Sequence, residues 1–485
     1  MAEILVKENT VPIFHASYNV PFKLREAVSQ EIDTQVKEST LVPIKFSRYA
    51  TPIVIVPKSD GRVRICMDCR VTLNKCVETE HYPLPKIEDI FAMLSNCTHF
   101  CKIDLKGAYL QLSVSPESRQ YLTINTFKGL YQYTRLPLGI KNGPSIFQSV
   151  MDQILVSLEK VFCYLDDIIV GGFSEKLCYE RLLEVFQRLH NHNVHINLEK
   201  CEFLVQSVKY LGHTVSILGI SPNPEKVKAI TEAPVPVNVS QLQSYLGLLN
   251  YYGRFIPNLS EELRDLYKLL RKEEPFCWSG SCKKAFERSK KLILSHSILE
   301  LYDPNKPIVV ATDASPYGVG EVLSHIIDGH EKIVLFASST LSPAEKNYSQ
   351  LHREALAIVF ALKKFHSYLY GQKFTICTDH QALKEIFNPK KSTPAVGAAR
   401  LQRWSVIMSM YNYDIVYRKC SLMCHADALS RLPLAGQQIL KAFKLKYLYI
   451  IVPEEFRAKI ISLLHENHYR TNENDGKVVC MVAID

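Results

Sequence analysis

Long hydrophobic runs are missing from this chain. Across its 485 residues no 18 consecutive apolar side chains occur, and the longest candidates, such as 161–170, are interrupted by charge. That excludes an ordinary membrane-spanning helix. The N-terminus, Met1-Ala-Glu-Ile-Leu-Val-Lys-Glu, has mixed charge and no long apolar segment of the kind a secretory signal needs. Internal repeats and low-complexity tracts are also absent. With 47% hydrophobic and 22% charged residues, wholesale disorder, collagen and disulfide-miniprotein classes are excluded. A strong charge skew is lacking too: 58 basic against 49 acidic residues leave +9, a mild bias that suits a polyanionic partner without requiring one. The 14 cysteines are scattered, many inside apolar stretches (Cys101, Cys163, Cys377), as in reduced intracellular proteins. Cys66 and Cys69 have CxxC spacing, and Cys420 and Cys424 lie close to His425. No second pair sits at zinc-ribbon distance from either, which argues against a metal role for them.

At about 150 residues per domain the length allows roughly three domains. Mixed strands and helices are expected up to about residue 220. Pro222, Pro224, Pro234 and Pro236 then bracket a short helical stretch that reads as a hinge. Ser240 is a plausible N-cap for an amphipathic helix carrying Leu242, Tyr245, Leu246 and Leu249 at i, i+3, i+4 and i+7. From about 306 to 432 the pattern is strands, then a helix, a strand and a further helix.

Two segments carry chemistry. In Val161-Phe-Cys-Tyr-Leu-Asp166-Asp167-Ile-Ile-Val170, short β-rich runs flank adjacent carboxylates and Gly171-Gly172 closes the unit. This reads as a hairpin with Asp166 and Asp167 at its tip. Like charges against apolar strands are costly unless a cation or hydrogen-bond network compensates them; a solvated Asp-Asp turn is the alternative. Upstream, Cys101, Ile103 and Leu105 alternate with Lys102, Asp104 and Lys106, so Asp104 points away from the apolar face of a strand. The parity changes after Gly107-Ala108, which marks a break. Three converging carboxylates would bind two hard cations such as Mg²⁺, the arrangement that clamps an in-line phosphoryl displacement.

Tyr164-Leu165-Asp166-Asp167 resembles the YxDD motif of reverse transcriptases, and Asp104 with Tyr109 resembles their upstream Asp-x4-Tyr motif. Further matches follow in order: Lys58 to Arg64 and Asp68-Cys-Arg70 (fingers), Leu136-Pro-Leu-Gly139 with Pro144-Ser-Ile-Phe147-Gln148 (template-side helix), Leu198-Glu-Lys200, and Tyr210-Leu-Gly212-His213 (primer grip). Tyr245 to Pro257 is typical of gypsy-type LTR retrotransposons. The resemblance covers about 11–432. It implies an α+β multidomain fold, a right-hand polymerase followed by an RNase H-like α/β domain. The expected segments are a leader 1–20, fingers and palm 21–220, thumb and connection 221–300, RNase H-like domain 301–433 and tail 434–485. By the same resemblance, Asp104, Asp166 and Asp167 would hold two Mg²⁺, with Mn²⁺ as a substitute. Lys58 and Arg64 would contact the nucleotide triphosphate, Tyr109 would sit under the sugar and exclude a ribose 2′-hydroxyl, and Lys200 would protonate the leaving pyrophosphate. Gly212 would belong to the primer grip.

Downstream, Pro307-Ile-Val-Val-Ala-Thr-Asp313 is a β-branched strand ending in Asp. A helix from Tyr348 to Leu362 carries Glu354, with Ser349 near its N-cap and Gly371 past its end. Lys373 to Asp379 is another strand ending in Asp, and Asp427 follows. The Asp, Glu, Asp, Asp order resembles a retroelement RNase H. It implies that Asp313, Glu354, Asp379 and Asp427 bind two Mg²⁺ and activate water against RNA paired to DNA. Two features depart from the family: Cys420-Ser-Leu-Met-Cys424 replaces an expected Gly-Lys loop, and Glu321 stands where a small apolar residue is usual. Strand parity with Val319 and Leu323 leaves the direction of Glu321 open.

No Asp-Ser/Thr-Gly protease motif precedes the polymerase region. His465 and His468 faintly resemble the start of an integrase zinc-binding segment, but the Cys pair it requires is absent, so a structural His pair on a helix is preferred. The chain reads as the middle of a retrotransposon polyprotein, cut out or truncated by decay. The expected partners are RNA template, DNA primer, RNA–DNA hybrid, dNTPs and the rest of the polyprotein, with no membrane. The expected location is cytoplasmic virus-like particles or the nucleus. Two classes stay open: an active RNA- and DNA-templated DNA polymerase with RNase H, and a catalytically inactive relic or host-retained nucleic-acid-binding protein.

Overall fold

Alternating apolar and polar residues in the N-terminal half form strands that pair across long stretches of sequence. The computed structural model describes residues 1–58, 61–79, 82–271, 275–295, 298–389 and 399–418, and the backbone of 471–474 and 477–480. Two units are distinguished, Met1–Met423 and Cys424–Asp485. In the second, the described residues form a hairpin of strands Thr471–Asn474 and Lys477–Cys480. Asp427, His465 and His468 lie outside the described residues. Among the described residues no helix is long and apolar enough to cross a membrane.

The first sheet runs in the order Leu41–Ile44, Gly129–Tyr133, Thr123–Thr126, Thr51–Pro57, Val63–Met67. Helix Phe22–Lys37 packs on it through fully buried Val28 and Ile32, in one core with Ile53, Ile65 and Met67.

The second sheet carries the acidic motifs. Its order is Val161–Tyr164, Asp167–Gly172, His99–Asp104, Glu202–Val205, all neighbours antiparallel. Cys101, Ile103, Ile168 and Val170 face helices Gly143–Ile154 and Glu175–Asn191, which contribute Phe147, Met151, Leu182, Val185 and Leu189. Ser174 caps the second helix by accepting from Leu177 N. Its buried Cys178, Leu182, Val185 and Leu189 form one helical stripe. Each large aliphatic side chain buried there contributes about 1.5–3 kcal/mol. Gly172 lets this helix sit directly on the strand, since a Cβ there would lie 2.5 Å from Cys178 N.

A three-stranded meander, Ser207–Tyr210, His213–Ser216 and Gly219–Pro222, follows. The hinge prolines bracket helix Pro224–Thr231 as expected. The next helix spans Val239–Tyr251 and buries Leu242, Tyr245, Leu246 and Leu249. Its cap is Asn238 rather than Ser240: the Asn238 Oδ1 accepts from Gln241 N at 2.9 Å, and Asn is as good a capping acceptor as Ser.

The third large sheet has the order His330–Thr340, Gly318–Ile327, Ile308–Ala314, Lys373–Thr378, Asn412–Tyr417, with the last three strands mutually parallel. Strand Asn412–Tyr417 was not expected from the sequence. Helix Gln350–Lys364 covers one face, capped by Ser349 as read from the sequence. A short helix, His366–Leu369, follows before Gly371 turns the chain at φ +78°. Mixed sheets and helices in this order, ending in a five-stranded α/β unit, form the α+β multidomain class.

Candidate active sites

The second sheet places Asp104 directly opposite Asp167 in register. The hairpin that joins them to Asp166 turns at Leu165 and Asp166, because Tyr164 pairs with Asp167. Only Asp166 is therefore at the tip, and Asp167 begins the strand. Leu165 adopts φ +56°, a left-handed conformation costing about 1–2 kcal/mol for a residue with a Cβ. Three groups hold the turn: Leu165 N donates to Gln148 Oε1 at 2.8 Å, the Cys163 thiol reaches Leu165 O at 3.0 Å, and Leu105 N donates to Asp166 O at 3.1 Å. Lys102, two residues before Asp104, pairs with Asp167 at 3.3 Å. Burial raises the Asp167 pKa, against the pull of Lys102.

Tyr109 lies in the short turn Ala108–Gln111 that follows the break at Gly107. Its ring packs 5.1 Å from Phe147, and burial, followed by the nearby Asp166, pushes its pKa up to about 12. Its hydroxyl therefore stays protonated at neutral pH. Lys58 and exposed Arg64 lie together on the hairpin of Thr51–Pro57 and Val63–Met67. Lys200 is exposed in the turn Leu198–Lys200, which abuts the acidic strand through Asn197 N donating to Asp104 O at 2.8 Å. Among the described residues Lys102 is the cation ion-paired to this acidic set. Leu211 and Gly212 form a tight turn with φ +44° and +70°. The Gly212 carbonyl accepts from the Tyr252 hydroxyl at 2.7 Å, and a Cβ there would meet Tyr251 at 3.3 Å. Neighbouring His213 is buried among Phe91, Tyr251, Tyr252 and Phe255. Burial lowers its pKa to about 4, so the ring is neutral.

The third sheet gathers a second acidic set. Asp313 and Asp379 come from the ends of parallel neighbouring strands and Glu354 from the covering helix, and their carboxylate oxygens lie within 4.8 Å of one another. Among the described residues only this set reaches that spacing; Asp104, Asp166 and Asp167 do not. Glu354 is 1% exposed. One of its oxygens accepts from Gln350 Nε2, which also donates to Ala314 O, while the other is buried without a partner. Burial first, then Asp379 and Asp313, raise its pKa to about 8. Asp313 keeps an open edge, yet partial burial and then Asp379 raise its pKa too. A tight trio of oxygen donors with an orphaned buried oxygen fits a hard divalent cation.

Glu321 faces inward. It is 2% exposed, pairs across the strands with Thr312, and neither carboxylate oxygen has a partner. Burial drives its pKa well above the usual carboxylate range.

Both acidic sets fall within regions that match known families. The reverse transcriptase (RNA-dependent DNA polymerase) family matches residues 56–215, and the RNase H-like domain found in reverse transcriptase matches 303–411. The retrovirus-related Pol polyprotein from transposon 297 of Drosophila melanogaster is 36% identical over 447 residues, 89% of this chain and 41% of that polyprotein. The chain thus carries a reverse transcriptase region and an RNase H-like region, and it is similar to retrotransposon Pol polyproteins. The transposon Tf2-3 polyprotein of Schizosaccharomyces pombe is 35% identical over 88% of this chain and 32% of its own length. The chain spans less than half the length of these two relatives. In fold it is similar to the foamy viral protease-reverse transcriptase. One such structure, in complex with double-stranded DNA, has a TM-score of 0.77 at 24% identity, covering 85% of this chain and 72% of that one. Another, with an RNA/DNA hybrid, has a TM-score of 0.71 at 22% identity, covering 92% and 58%. Domains of both matched kinds are divalent-metal dependent as a class.

The side chains that support the acids went unread in the sequence. Lys102 was visible as a polar position on the strand, and Gln148 only as part of a helix motif. Gln350, one turn before Glu354, carried a readable i, i+4 signal.

Proposed function

We propose that this chain is an RNA- and DNA-directed DNA polymerase with RNase H activity, from a gypsy-type LTR retrotransposon. The observation that carries the reading is the register pairing of Asp104 with Asp167 beside the Asp166 turn. In this reading Asp104, Asp166 and Asp167 hold two Mg²⁺ at the polymerase site, and Asp313, Glu354, Asp379 and Asp427 hold two at the RNase H site. Bound there, the cations supply charge stabilisation for in-line phosphoryl displacement. Lys58 and Arg64 steer and hold the dNTP triphosphate, the permanently charged Arg fork suiting phosphate oxygens. Tyr109 supports the sugar and excludes a 2′-hydroxyl, the Gly212 turn holds the primer end, and Lys200 delivers a proton to pyrophosphate. The proposed setting is a cytoplasmic virus-like particle, with the rest of the polyprotein as partner.

The test is primer extension on an RNA template with Mg²⁺, beside an Asp166→Asn/Asp167→Asn double variant. Extension that the double variant leaves intact, or a folded wild-type chain that extends nothing, rejects the polymerase reading. Cleavage of the RNA strand of a hybrid should vanish in Asp313→Asn and persist in the double variant. A second reading, an inactive relic that retains nucleic-acid binding, draws on one observation: the unpaired buried carboxylate of Glu321.

A further inference from the structure

The interior of the polymerase site contains a fully buried amide that no proposed chemical role uses. Gln148, on helix Gly143–Ile154, is 0% exposed. Its Oε1 accepts from Leu165 N at 2.8 Å, and its Nε2 donates to Cys163 O at 2.8 Å and to Asp152 Oδ1 at 2.8 Å. The other Asp152 oxygen accepts from the Tyr82 hydroxyl at 2.7 Å.

Only one orientation of the amide satisfies these bonds. Leu165 N can only donate, and Cys163 O and the Asp152 carboxylate oxygen accept, so the flipped amide would lose all three. Asp152 thus fixes which way Gln148 points, and Gln148 spans both sides of the turn that presents Asp166. The turn needs such a hold because Leu165 sits at φ +56°, a conformation that persists only where surrounding groups enforce it. No other natural side chain of this length accepts once and donates twice: Glu lacks the donor, Met lacks the donor and has only a weakly accepting sulfur, and Lys lacks the acceptor.

We propose that Gln148 is a positioning residue that holds the Leu165–Asp166 turn so that Asp166 stays in place beside Asp104, with Asp152 and Tyr82 as its outer support. This deepens the polymerase reading and rests on it. The bonds of Gln148 go to the turn backbone and to Asp152, and to none of the three acids assigned to the site. Displacing a reacting group by about 1 Å costs on the order of 100-fold in rate, and the turn has no other side-chain amide to replace the lost bonds.

The test measures single-nucleotide extension, hybrid cleavage and amide hydrogen exchange on one preparation of the full chain. Gln148→Met, close in size and lacking both hydrogen-bonding groups, should lower kcat for extension about 100-fold with little change in dNTP KM. It should raise the Mg²⁺ concentration needed for half-maximal extension and leave hybrid cleavage unchanged. The peptide containing Leu165 should exchange faster, and peptides of the third sheet should not. Asp152→Ala, a half-exposed position, should move kcat in the same direction by a smaller factor. Extension by Gln148→Met at the wild-type rate overturns the proposal. If that variant also loses hybrid cleavage, Asp152→Ala decides, and an unchanged kcat there overturns it. If the wild-type chain extends no primer, the polymerase reading fails, and the exchange data still judge the hold: an unaltered Leu165 peptide in Gln148→Met overturns it.

Discussion

The two acidic sets solve the same electrostatic problem in opposite ways. At the hairpin, repulsion is relieved from within the protein, because Lys102 lies 3.3 Å from Asp167 and the acids stay wider apart than those of the second set. At the third sheet no cation is paired with Asp313, Glu354 or Asp379 among the described residues. Their oxygens crowd within 4.8 Å, and relief comes from protonation, with the Glu354 pKa near 8. A site with its own cation would be assembled before a metal arrived, whereas a site without one would take up a metal by displacing a proton.

The sharpest way to break this comparison is to disable one set at a time. Asp313→Asn should lower hybrid cleavage by about 100- to 1000-fold while extension continues, and Asp166→Asn should do the reverse. Gel assays of both activities on the same samples check this. Joint loss in either variant would mean the two sets do not act separately.

Next in size is a stability effect confined to the second set. The folded-state pKa of Glu354 is raised from 4.5 to about 8, so its contribution is fully present below about 4.5 and is lost as pH rises through about 8. Metal-free protein should therefore melt at progressively lower temperature from pH 5 to pH 8. Mg²⁺ should restore the loss, and Glu354→Gln should flatten the curve and stabilise the metal-free chain by several kcal/mol at pH 8. A melting temperature independent of pH in the wild type, followed by calorimetry, would contradict the raised pKa.

Glu321 offers a smaller, independent probe of the same sheet. Replacing this unpartnered buried carboxyl by alanine should stabilise the chain by about 1–3 kcal/mol, seen as a higher denaturant midpoint at unchanged slope. A lower midpoint would show that the carboxyl has a stabilising partner in solution. The smallest effect expected is from Lys102→Met. Losing this half-buried pair leaves burial unopposed at Asp167, so the acidic limb of the extension pH profile should move to higher pH, with rates above that limb little changed. A shift toward lower pH would remove Lys102 from its assigned part.

The sequence made strand-borne features legible and left tertiary ones hidden. Alternation of Cys101, Ile103 and Leu105 with Lys102 and Asp104 was readable because one face of that strand is packed and the other stays partly open. Glu321 was not readable, because both faces of its sheet are covered. Val322 packs against the hinge-region core and Leu323 against the core of the covering helix, so parity names a face without saying which is wet. The tip of the acidic hairpin was misplaced by one residue, since Asp tolerates turns better than Leu and the tertiary contacts of Gln148, Cys163 and Leu105 that hold Leu165 there leave no sequence signal. The cap at Asn238 was missed because Ser240 offered equal capping chemistry two residues later. Strand Asn412–Tyr417 did carry a signal, with Tyr413 and Ile415 buried between more open neighbours.

One bond at the meander has a mechanical consequence. The hydroxyl of fully buried Tyr210 donates to the Asp167 carbonyl at 3.2 Å, and Tyr210 is the residue immediately before the Leu211–Gly212 turn. The meander hairpin and the acidic hairpin are therefore tied together at a phenol. In the proposed reading, a tilt of the Gly212 turn by passing nucleic acid would pull on the backbone of an acid rather than on open water. Advance along the duplex and readiness for the next bond would then be felt at the same atom.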